Sequence, residues 1–364
     1  MITEQQLRQV FAPISGDQAL RVCKTLSGNI NTILQIEVGD HCSGPRLYGL
    51  RIRTQEHVYR YEPDLIKEVF ISWLLDPDNS EKNDAEKAAA LARILTEKQG
   101  VGRNGNGIEP NGLAFDWTRQ CLPHPYFVYE WIDGEPLWNQ PTPQLYFLAG
   151  QALASIHSVR FEAFYADFLA LGKIPVHWPH RFRAALDKEV ANAQGRLSDS
   201  LTVALETISI PSSTPYSPCL IHNDFSPGNI LVQDGHLTAV IDWDNAVVDA
   251  APLDFVKMKY WTAKDLWGQL RHDPDLFLAF VDGYGPSGTA IVQSEIFVLY
   301  ETLWLLRVFN FEISKQERGL DRAPGYPEAA VYAKFLTEVI DRLTHSRESP
   351  VSPPQSRLST YEST

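Results

Sequence analysis

The segment that most constrains this chain is residues 220–232, LIHNDFSPGNILV, where a polar cluster lies between two short apolar runs. Asp224 and Asn229 are five residues apart, and the Pro-Gly pair between them predicts a tight loop. Each of these residues alone is common in ordinary turns. Their combination, followed by an Asp that closes a second apolar run, indicates a functional site.

A β-hairpin is predicted directly after this loop. The runs ILV and LTAVI read as two strands joined by an Asp-Gly pair, which favours a hairpin turn. The start of the first strand then lies beside the end of the second, so Asn229 is expected next to Asp242. Two oxygen ligands at one end of a hairpin, with Asp224 a few residues upstream, form a site for a hard cation such as Mg²⁺ beside a candidate base.

This arrangement is typical of phosphoryl transfer. The metal neutralises the phosphates, while one carboxylate orients the attacking hydroxyl and accepts its proton. We therefore predict that Asp224 is the catalytic base and that Asn229 and Asp242 hold the metal. His222 is predicted to support the loop by hydrogen bonding and not to act as the base.

The segments HNDFSPGN and VIDWDNA resemble the catalytic loop and the metal-binding segment of the aminoglycoside phosphotransferase and choline kinase family. These small-molecule kinases are related in fold to protein kinases, and the resemblance is sharpest over about residues 220–255. It implies an α+β, bilobal protein-kinase-like fold. Residues 1–132 would be a small nucleotide-binding lobe with an antiparallel sheet and one or two helices, ending in the hinge. Residues 133–345 would be a helical lobe with the catalytic loop and acceptor site.

The resemblance also implies nucleotide contacts in the N-terminal lobe. LSGNINTILQIEV is similar to the hairpin that lies over the phosphates of ATP or GTP, with Ser27, Gly28 and Asn31 at the contacting positions. YGLRIRT resembles the strand whose basic residue meets the α- and β-phosphates. Arg51 stands at the matching position, and Arg53 is the alternative.

This cation is expected to pair with a Glu on the following helix. Glu68 is favoured over Glu86 because seventeen residues suit one strand-to-helix step better than thirty-five. YFVYEWIDGEPL resembles the hinge between the lobes, where the backbone of Glu130 and Ile132 would hydrogen-bond the adenine. Asp254 matches a residue that stabilises the catalytic region from the next helix.

Hydrophobic periodicity predicts the remaining elements. A Gly/Asn-rich stretch at residues 100–112 is expected to be a surface loop, and the Ser/Pro-rich residues 346–364 are expected to be a disordered tail. The predicted helices are 2–12, 63–75, 84–99, 142–159, 180–197, 255–270, 275–283, 293–311 and 328–343.

Composition limits the partners. A net charge of −13 opposes nucleic-acid binding, because phosphate contacts need clustered Lys and Arg. The most apolar stretch, residues 296–311, is too short to span a membrane and contains two charges. The four cysteines are scattered without metal-ligand spacing, and the polar N-terminus lacks a signal sequence. We therefore expect a cytoplasmic protein with reduced thiols and neither a nucleic-acid nor a membrane partner.

The acceptor is expected between the Asp224 loop and the C-terminal helices. Glu301, Trp304, Glu312 and Trp261 are candidate lining residues, because carboxylates and aromatic faces attract amines. An amine-bearing alcohol such as an aminoglycoside or a choline-like compound is the favoured acceptor, and a neutral sugar or macrolide is the alternative. Core packing is the stronger interpretation for Trp304 and its neighbours in LYETLWLLRVF. A catalytically inactive kinase-like scaffold is the alternative from another functional class.

Overall fold

The N-terminal part of the chain forms a six-stranded antiparallel sheet with strand order β1-β2-β3-β6-β5-β4. This computed structural model describes residues 2–27, 31–39, 44–53, 64–97, 99–101, 112–116, 118–322 and 324–348. The strands of the sheet are β1 Ala19–Ser27, β2 Asn31–Gly39, β3 Arg46–Arg53, β4 Gln99–Val101, β5 Gly112–Asp116 and β6 Tyr126–Glu130.

Helix α1 (Glu4–Ser15) covers one part of this sheet. Leu7, Val10 and Phe11 recur at helical spacing and are buried together with alternate residues of β2. These side chains form a small core that belongs to the N-terminal sheet alone. It contains, among others, Leu34, Ile36, Val38, Leu50 and Val128.

Helices α2 (Asp64–Leu75) and α4 (Asp84–Glu97) follow β3, with the single-turn α3 (Pro77–Ser80) between them. Their apolar residues, such as Phe70 and Leu91, belong to the large core that continues into the C-terminal part of the chain. The two helices therefore connect the N-terminal sheet with the helical region.

The C-terminal part is mainly helical. The long helix α11 has buried residues on all sides, including Leu299, Trp304 and Leu305, and it packs between α8, α6 and α12. The helices are α5 Pro143–His157, α6 Trp178–Asn192, α7 Asp199–Glu206, α8 Pro252–Tyr260, α9 Pro274–Gly283, α10 Pro286–Val292, α11 Glu295–Glu317 and α12 Ala329–Glu348. Within the described ranges, no helix is both long enough and apolar enough to cross a membrane.

Short strands frame the predicted catalytic loop. β8 ends where the loop begins, β9 and β10 form the hairpin after it, and β11 returns to pair with β8. The strands of this region are β7 Glu135–Pro136, β8 Cys219–Ile221, β9 Ile230–Gln233, β10 His236–Val240, β11 Val247–Asp249, β12 Ala263–Lys264 and β13 Leu270–Arg271.

The predicted helix over residues 255–270 is wrong beyond Tyr260. The Thr262 hydroxyl donates to the carbonyls of Met258 (2.5 Å) and Lys259 (2.8 Å), and a β12–β13 hairpin follows. At its turn, Gly268 has φ +76°. Local hydrogen bonds therefore end a helix that the apolar pattern alone would extend.

Three further differences concern the predicted ends of elements and missed helices. The disordered tail was predicted to begin at residue 346, which is too early, because α12 extends to Glu348. Residues 349–364 lie outside the described residues. Both ends of the expected loop at 100–112 are in strands β4 and β5, and the stretch between them is also outside the description. The short helices α7 and α10 were not predicted.

Candidate active site

The predicted catalytic loop is held from inside by His222. The imidazole is fully buried, with Nε2 3.0 Å from the carbonyl of Ile241, and its Nδ1 accepts a hydrogen bond from the backbone N–H of Asp224 (3.1 Å). Asn223 adopts a left-handed backbone conformation with φ +59°. His222 thus supports the loop and fixes the orientation of the Asp224 backbone.

Asp254 anchors the same loop from helix α8. Its carboxylate accepts hydrogen bonds from the backbone N–H groups of His222 (2.7 Å) and Asn223 (2.6 Å). His157 Nε2 lies 3.1 Å from the same carboxylate, and its Nδ1 lies 2.9 Å from the hydroxyl of Tyr284. A buried carboxylate with this many partners makes the loop a rigid part of the helical region.

The carboxylate of Asp224 is partly buried, with 21% of the side chain exposed. One oxygen, Oδ1, forms an ion pair with Lys257, and the other, Oδ2, accepts a hydrogen bond from Asn245 Nδ2 (3.2 Å). Asn229 Nδ2 donates to the backbone carbonyl of Asp224 (2.9 Å). The candidate base therefore has fixed neighbours on both oxygens and remains reachable from solvent.

The hairpin brings Asn229 and Asp242 to one end, as the turn chemistry predicted. Its turn is formed by Asp234 and Gly235 with φ values of +51° and +76°. Ile241 N–H donates to the carbonyl of Asn229 (2.9 Å), so Asp242 follows directly beside it.

Negative charge is concentrated at this end of the hairpin. Burial and the charges of Asp244 and Asp224 raise the pKa of Asp242, whereas Arg51 lowers it. Oδ1 of Asp244 is buried without a hydrogen-bond partner among the described residues. Crowded carboxylates and an unpartnered acceptor suit a divalent cation.

No group of three or more His, Cys, Asp or Glu residues that could hold a metal ion occurs in the described part of the chain. A metal at Asn229 and Asp242 would therefore take further ligands from phosphate and water, which is how Mg²⁺ is commonly held.

Arg51 connects β3 with α2 and with the end of the hairpin. Its guanidinium forms an ion pair with Glu68, lies 2.9 Å from Asp244 Oδ2 and lies 3.4 Å from Asp242 Oδ1. Although burial acts in the opposite direction, Glu68 and Asp244 raise the pKa of Arg51, which stays charged. Glu86 instead accepts from the backbone N–H at the start of α4. The structure thus pairs Arg51 with Glu68.

The other predicted nucleotide-binding residues lie along the N-terminal sheet. Ser27 ends β1, and the Asn31 amide at the start of β2 lies within hydrogen-bond distance of Arg51 and 3.5 Å from Asp244 Oδ2. Glu130 ends β6, and Ile132 follows two residues later. Gly28 lies outside the described residues.

Residues 67–292, more than half of the chain, match the phosphotransferase enzyme family. The match includes Glu68, the catalytic loop and the hairpin with Asp242. The chain belongs to the phosphotransferase enzyme family. It is a small-molecule kinase.

Solved structures of phosphotransferases have the same fold. A putative aminoglycoside phosphotransferase from Ralstonia eutropha JMP134 is 14% identical, with a TM-score of 0.61, and the alignment covers 96% of this chain and 100% of that one. Aminoglycoside phosphotransferase APH(4)-Ia is 14% identical with a TM-score of 0.56, and the corresponding shares are 94% and 99%. A thermostable mutant of APH(4)-Ia, solved with AMP-PNP and hygromycin B, is 13% identical with a TM-score of 0.56 and shares of 95% and 100%. No curated protein sequence matches this chain.

One of the expected acceptor residues of this phosphotransferase is not available to a ligand. Glu301 is fully buried and pairs with Lys259, Arg342 (2.9 Å) and the hydroxyl of Tyr260 (3.1 Å). Its expected role in lining the acceptor site is therefore wrong, because two cations already neutralise it.

Trp304 is buried in the aromatic core, as the stronger of the two interpretations expected. Its ring stacks on Tyr260 with centroids 5.4 Å apart, and it meets the ring of Trp261 edge-on at 5.0 Å. Trp304 therefore packs against Trp261 inside the core and has little surface that a ligand could contact.

Trp261, by contrast, lies close to Lys257, the ion-pair partner of Asp224. Trp261 packs edge-on against Tyr326, with ring centroids 5.1 Å apart. Burial first, and then the negative charges of Asp224 and Glu312, raise the pKa of Tyr326, so this phenol lies within electrostatic reach of both carboxylates. Glu312 is 3% exposed, and among the described residues its ion-pair partner is Lys315, whose Nζ lies 3.8 Å away.

Four side chains of the site were not found from the sequence: Asp244, Asn245, Lys257 and Tyr326. A local signal existed for Asp244 and Asn245, which follow Asp242 in VIDWDNA. Lys257 and Tyr326 reach the site through the packing of α8 and of the segment before α12, and their neighbours in the sequence form no motif.

Proposed function

We propose that this enzyme transfers the γ-phosphoryl group of ATP or GTP to a hydroxyl group of a small molecule that carries an amine. Aminoglycosides and choline-like compounds are examples of this acceptor class. The observation that carries the proposal is the convergence of Asp224, Asn229 and Asp242 at one end of a hairpin, beside the buried Arg51–Glu68 pair.

Asp224 is proposed as the base that accepts the proton of the acceptor hydroxyl. The loop that carries it is held by His222 and Asp254, so the carboxylate is in place before the substrate binds. Such preorganisation is what phosphoryl transfer requires of a protein, because positioning and charge stabilisation supply most of the catalysis.

The donor is proposed to bind between the N-terminal sheet and the hairpin. Ser27, Gly28 and Asn31 would lie over its phosphates, Arg51 would contact them, and the backbone at Glu130 and Ile132 would bind the base. Residues 1–132 would then form the nucleotide lobe and residues 133–345 the acceptor lobe.

Asn229 and Asp242 would hold Mg²⁺, and the raised pKa of Asp242 and the unpartnered Asp244 Oδ1 support a cation there. When bound, the metal neutralises the charge of the phosphates. AMP-PNP in the APH(4)-Ia complex supports a nucleotide donor for this chain as well.

The proposal of an amine-bearing acceptor rests on Glu312 and the aromatic rings beside it. Among the described residues, the ion-pair partner of the buried Glu312 carboxylate is Lys315, at 3.8 Å. After burial, the charges of Asp224 and Glu312 raise the pKa of Tyr326, whose ring packs against Trp261. A buried carboxylate in such an aromatic environment suits an ammonium group through charge and cation–π attraction. Trp261 also lies 5.4 Å from Nζ of Lys257, which pairs with Asp224. The proposal is that one acceptor molecule places its amine at Glu312 and its hydroxyl at Asp224.

The first test is thermal denaturation with ATP or GTP, each with and without Mg²⁺, followed by nucleotide-consumption assays on amino alcohols, aminoglycosides, sugars and macrolides. We expect a Mg²⁺-dependent nucleotide shift and turnover of one amine-bearing class. Turnover of neutral sugars or macrolides alone would contradict the acceptor proposal. No nucleotide shift in any condition would contradict the donor proposal and favour a non-catalytic scaffold.

The metal assignment has its own test. In Asp242→Ala, Mg²⁺ should no longer strengthen nucleotide binding, whereas weak metal-free binding should persist because Arg51 and the hinge are unchanged. Asp234→Ala is the matched control, because it removes an Asp at the far end of the same hairpin. A variant in which Mg²⁺ still strengthens binding as in the wild type would place the metal elsewhere.

A further inference from the structure

Lys257 is the cation that contacts the proposed base. It lies on α8, three residues after Asp254, and its Nζ forms an ion pair with Asp224 Oδ1. Both side chains are largely buried, with 18% of Lys257 and 21% of Asp224 exposed. The same Nζ is 5.4 Å from the centre of the Trp261 ring. Lys257 therefore contacts both Asp224 and the ring of Trp261.

Neither the catalytic loop itself nor Arg51 supplies a cation to Asp224. The catalytic loop, HNDFSPGN, contains no Lys or Arg, and Ser226 stands two residues after Asp224. Arg51 is bound by Glu68 and Asp244 on the nucleotide side. Of the Lys and Arg side chains that the structure describes, Lys257 is the one with an ion pair to Asp224.

We propose that Lys257 is a catalytic residue that binds the phosphoryl group while it passes from the donor to the acceptor. This inference rests on the proposed kinase function. An ammonium group has three hydrogen-bond donors, so Lys257 can keep one on Asp224 and direct another to a non-bridging oxygen of the γ-phosphoryl group. A helix supplies the cation that the catalytic loop lacks.

The chemistry of the step balances without a change in Lys257. The acceptor O–H gives its proton to Asp224, the acceptor oxygen forms a bond to the γ-phosphorus, and the bond from that phosphorus to the bridging oxygen of the nucleoside diphosphate breaks. The electron pair of the broken bond stays on the diphosphate. Lys257 remains protonated and stabilises the charge on the equatorial oxygens, where phosphoryl transfer concentrates it.

A different role would be to hold Asp224 in place and nothing more. In that case Lys257 acts through the carboxylate, and its removal should have no effect once the carboxylate is gone. If it contacts the phosphoryl group, its removal should still slow the residual reaction. The two roles can therefore be separated by a double-mutant cycle with Asp224→Asn.

The experiment measures kcat and KM for the nucleotide and for an acceptor identified in the panel, in Lys257→Met, Lys257→Gln and Lys257→Arg. We expect Met and Gln to lower kcat by about 10²–10³-fold, with nucleotide KM within about threefold of wild type, and Arg to restore part of the loss. Lys188→Met, an exposed lysine on α6, is the matched control and should behave as wild type. The melting temperature shows whether each variant folds.

The cycle decides the assignment. The double variant Asp224→Asn/Lys257→Met should have a residual rate at least about tenfold lower than that of Asp224→Asn alone. No further loss in that background, or a folded Lys257→Gln enzyme with wild-type kcat, would overturn the inference. If the Lys257→Met variant does not fold, the Lys257→Gln and Lys257→Arg variants provide the same comparison. If no acceptor in the panel increased nucleotide consumption by the wild-type enzyme, that result would instead overturn the proposed function, and this inference with it.

Discussion

The predicted catalytic loop and the proposed acceptor pocket differ in how their polar residues are partnered. In the loop, residues 222–229 are contiguous, and His222, Asp224 and Asn229 all have hydrogen-bond partners within the protein. In the proposed pocket, Trp261, Glu312 and Tyr326 come from separate parts of the chain, and among the described residues the ion-pair partner of Glu312 is Lys315, at 3.8 Å. The loop needs no substrate to complete its hydrogen bonds, whereas the proposed pocket would use the buried carboxylate of Glu312 to bind one.

From this difference we expect the loop to set the rate of phosphoryl transfer and the proposed pocket to set the choice of acceptor. A rigid loop suits a reaction that depends on position, and its groups are satisfied so that they stay in place. A buried carboxylate without a close partner is costly, and a cationic ligand would offset that cost. Changes in the loop should therefore affect the rate for all acceptors, and changes in the pocket should affect some acceptors more than others.

Asp224→Asn should have the largest effect. We expect kcat to fall by about 10³-fold with every acceptor, because the amide cannot take the hydroxyl proton. Nucleotide binding, measured as the Mg²⁺-dependent thermal shift, should be retained. Near-wild-type kcat in this variant would show that the loop does not supply the base, and the contrast with the pocket would be lost.

Asp254→Ala tests whether the loop is rigid because of its buried anchor. The change leaves two backbone N–H groups and His157 without their acceptor, and we expect a loss of about 3 kcal/mol in the free energy of unfolding. The measurement is denaturation of the variant beside Asp275→Ala, a control at an exposed position early in α9. Equal stability of the two variants would mean that the loop does not depend on α8.

Glu312→Gln should alter selectivity more than rate. Loss of the negative charge is expected to raise KM for an amine-bearing acceptor by about tenfold, with a smaller effect on kcat. The increase should shrink at high salt as the wild-type attraction is screened. Glu317→Gln, near the exposed end of α11, is the control. An unchanged KM would remove Glu312 from the acceptor site.

Deletion of residues 349–364 should have the smallest effect. The helix that precedes them, α12, ends at Glu348, and Arg342 within it pairs with the buried Glu301. We expect kcat and KM to stay within about twofold of wild type, since the truncation removes none of these contacts. A larger change in steady-state kinetics would mean that this segment contributes to the loop or the pocket.

Much of the fold could be predicted because hydrophobic period and turn chemistry are local. Leu34, Ile36 and Val38 alternate along β2, and the Asp-Gly pair forms the hairpin turn with positive φ values. The prediction was wrong where a second local signal competed with the hydrophobic period. The helix after Asp254 ends at Tyr260 although apolar residues continue, because Thr262 and the β12–β13 hairpin take over its hydrogen bonds.

The loop at residues 222–229, its hairpin and the proximity of Asn229 and Asp242 could be predicted without coordinates, because these features depend on turn geometry over about twenty residues. Which charged residues pair with each other became known only from the folded structure. Helix packing paired Arg51 with Glu68 and not Glu86, brought Lys257 to Asp224 and neutralised Glu301, and it set Lys315 at 3.8 Å from Glu312. These pairs could not be predicted because the partner of a charge depends on how helices pack across the core, and composition and spacing do not encode that packing locally.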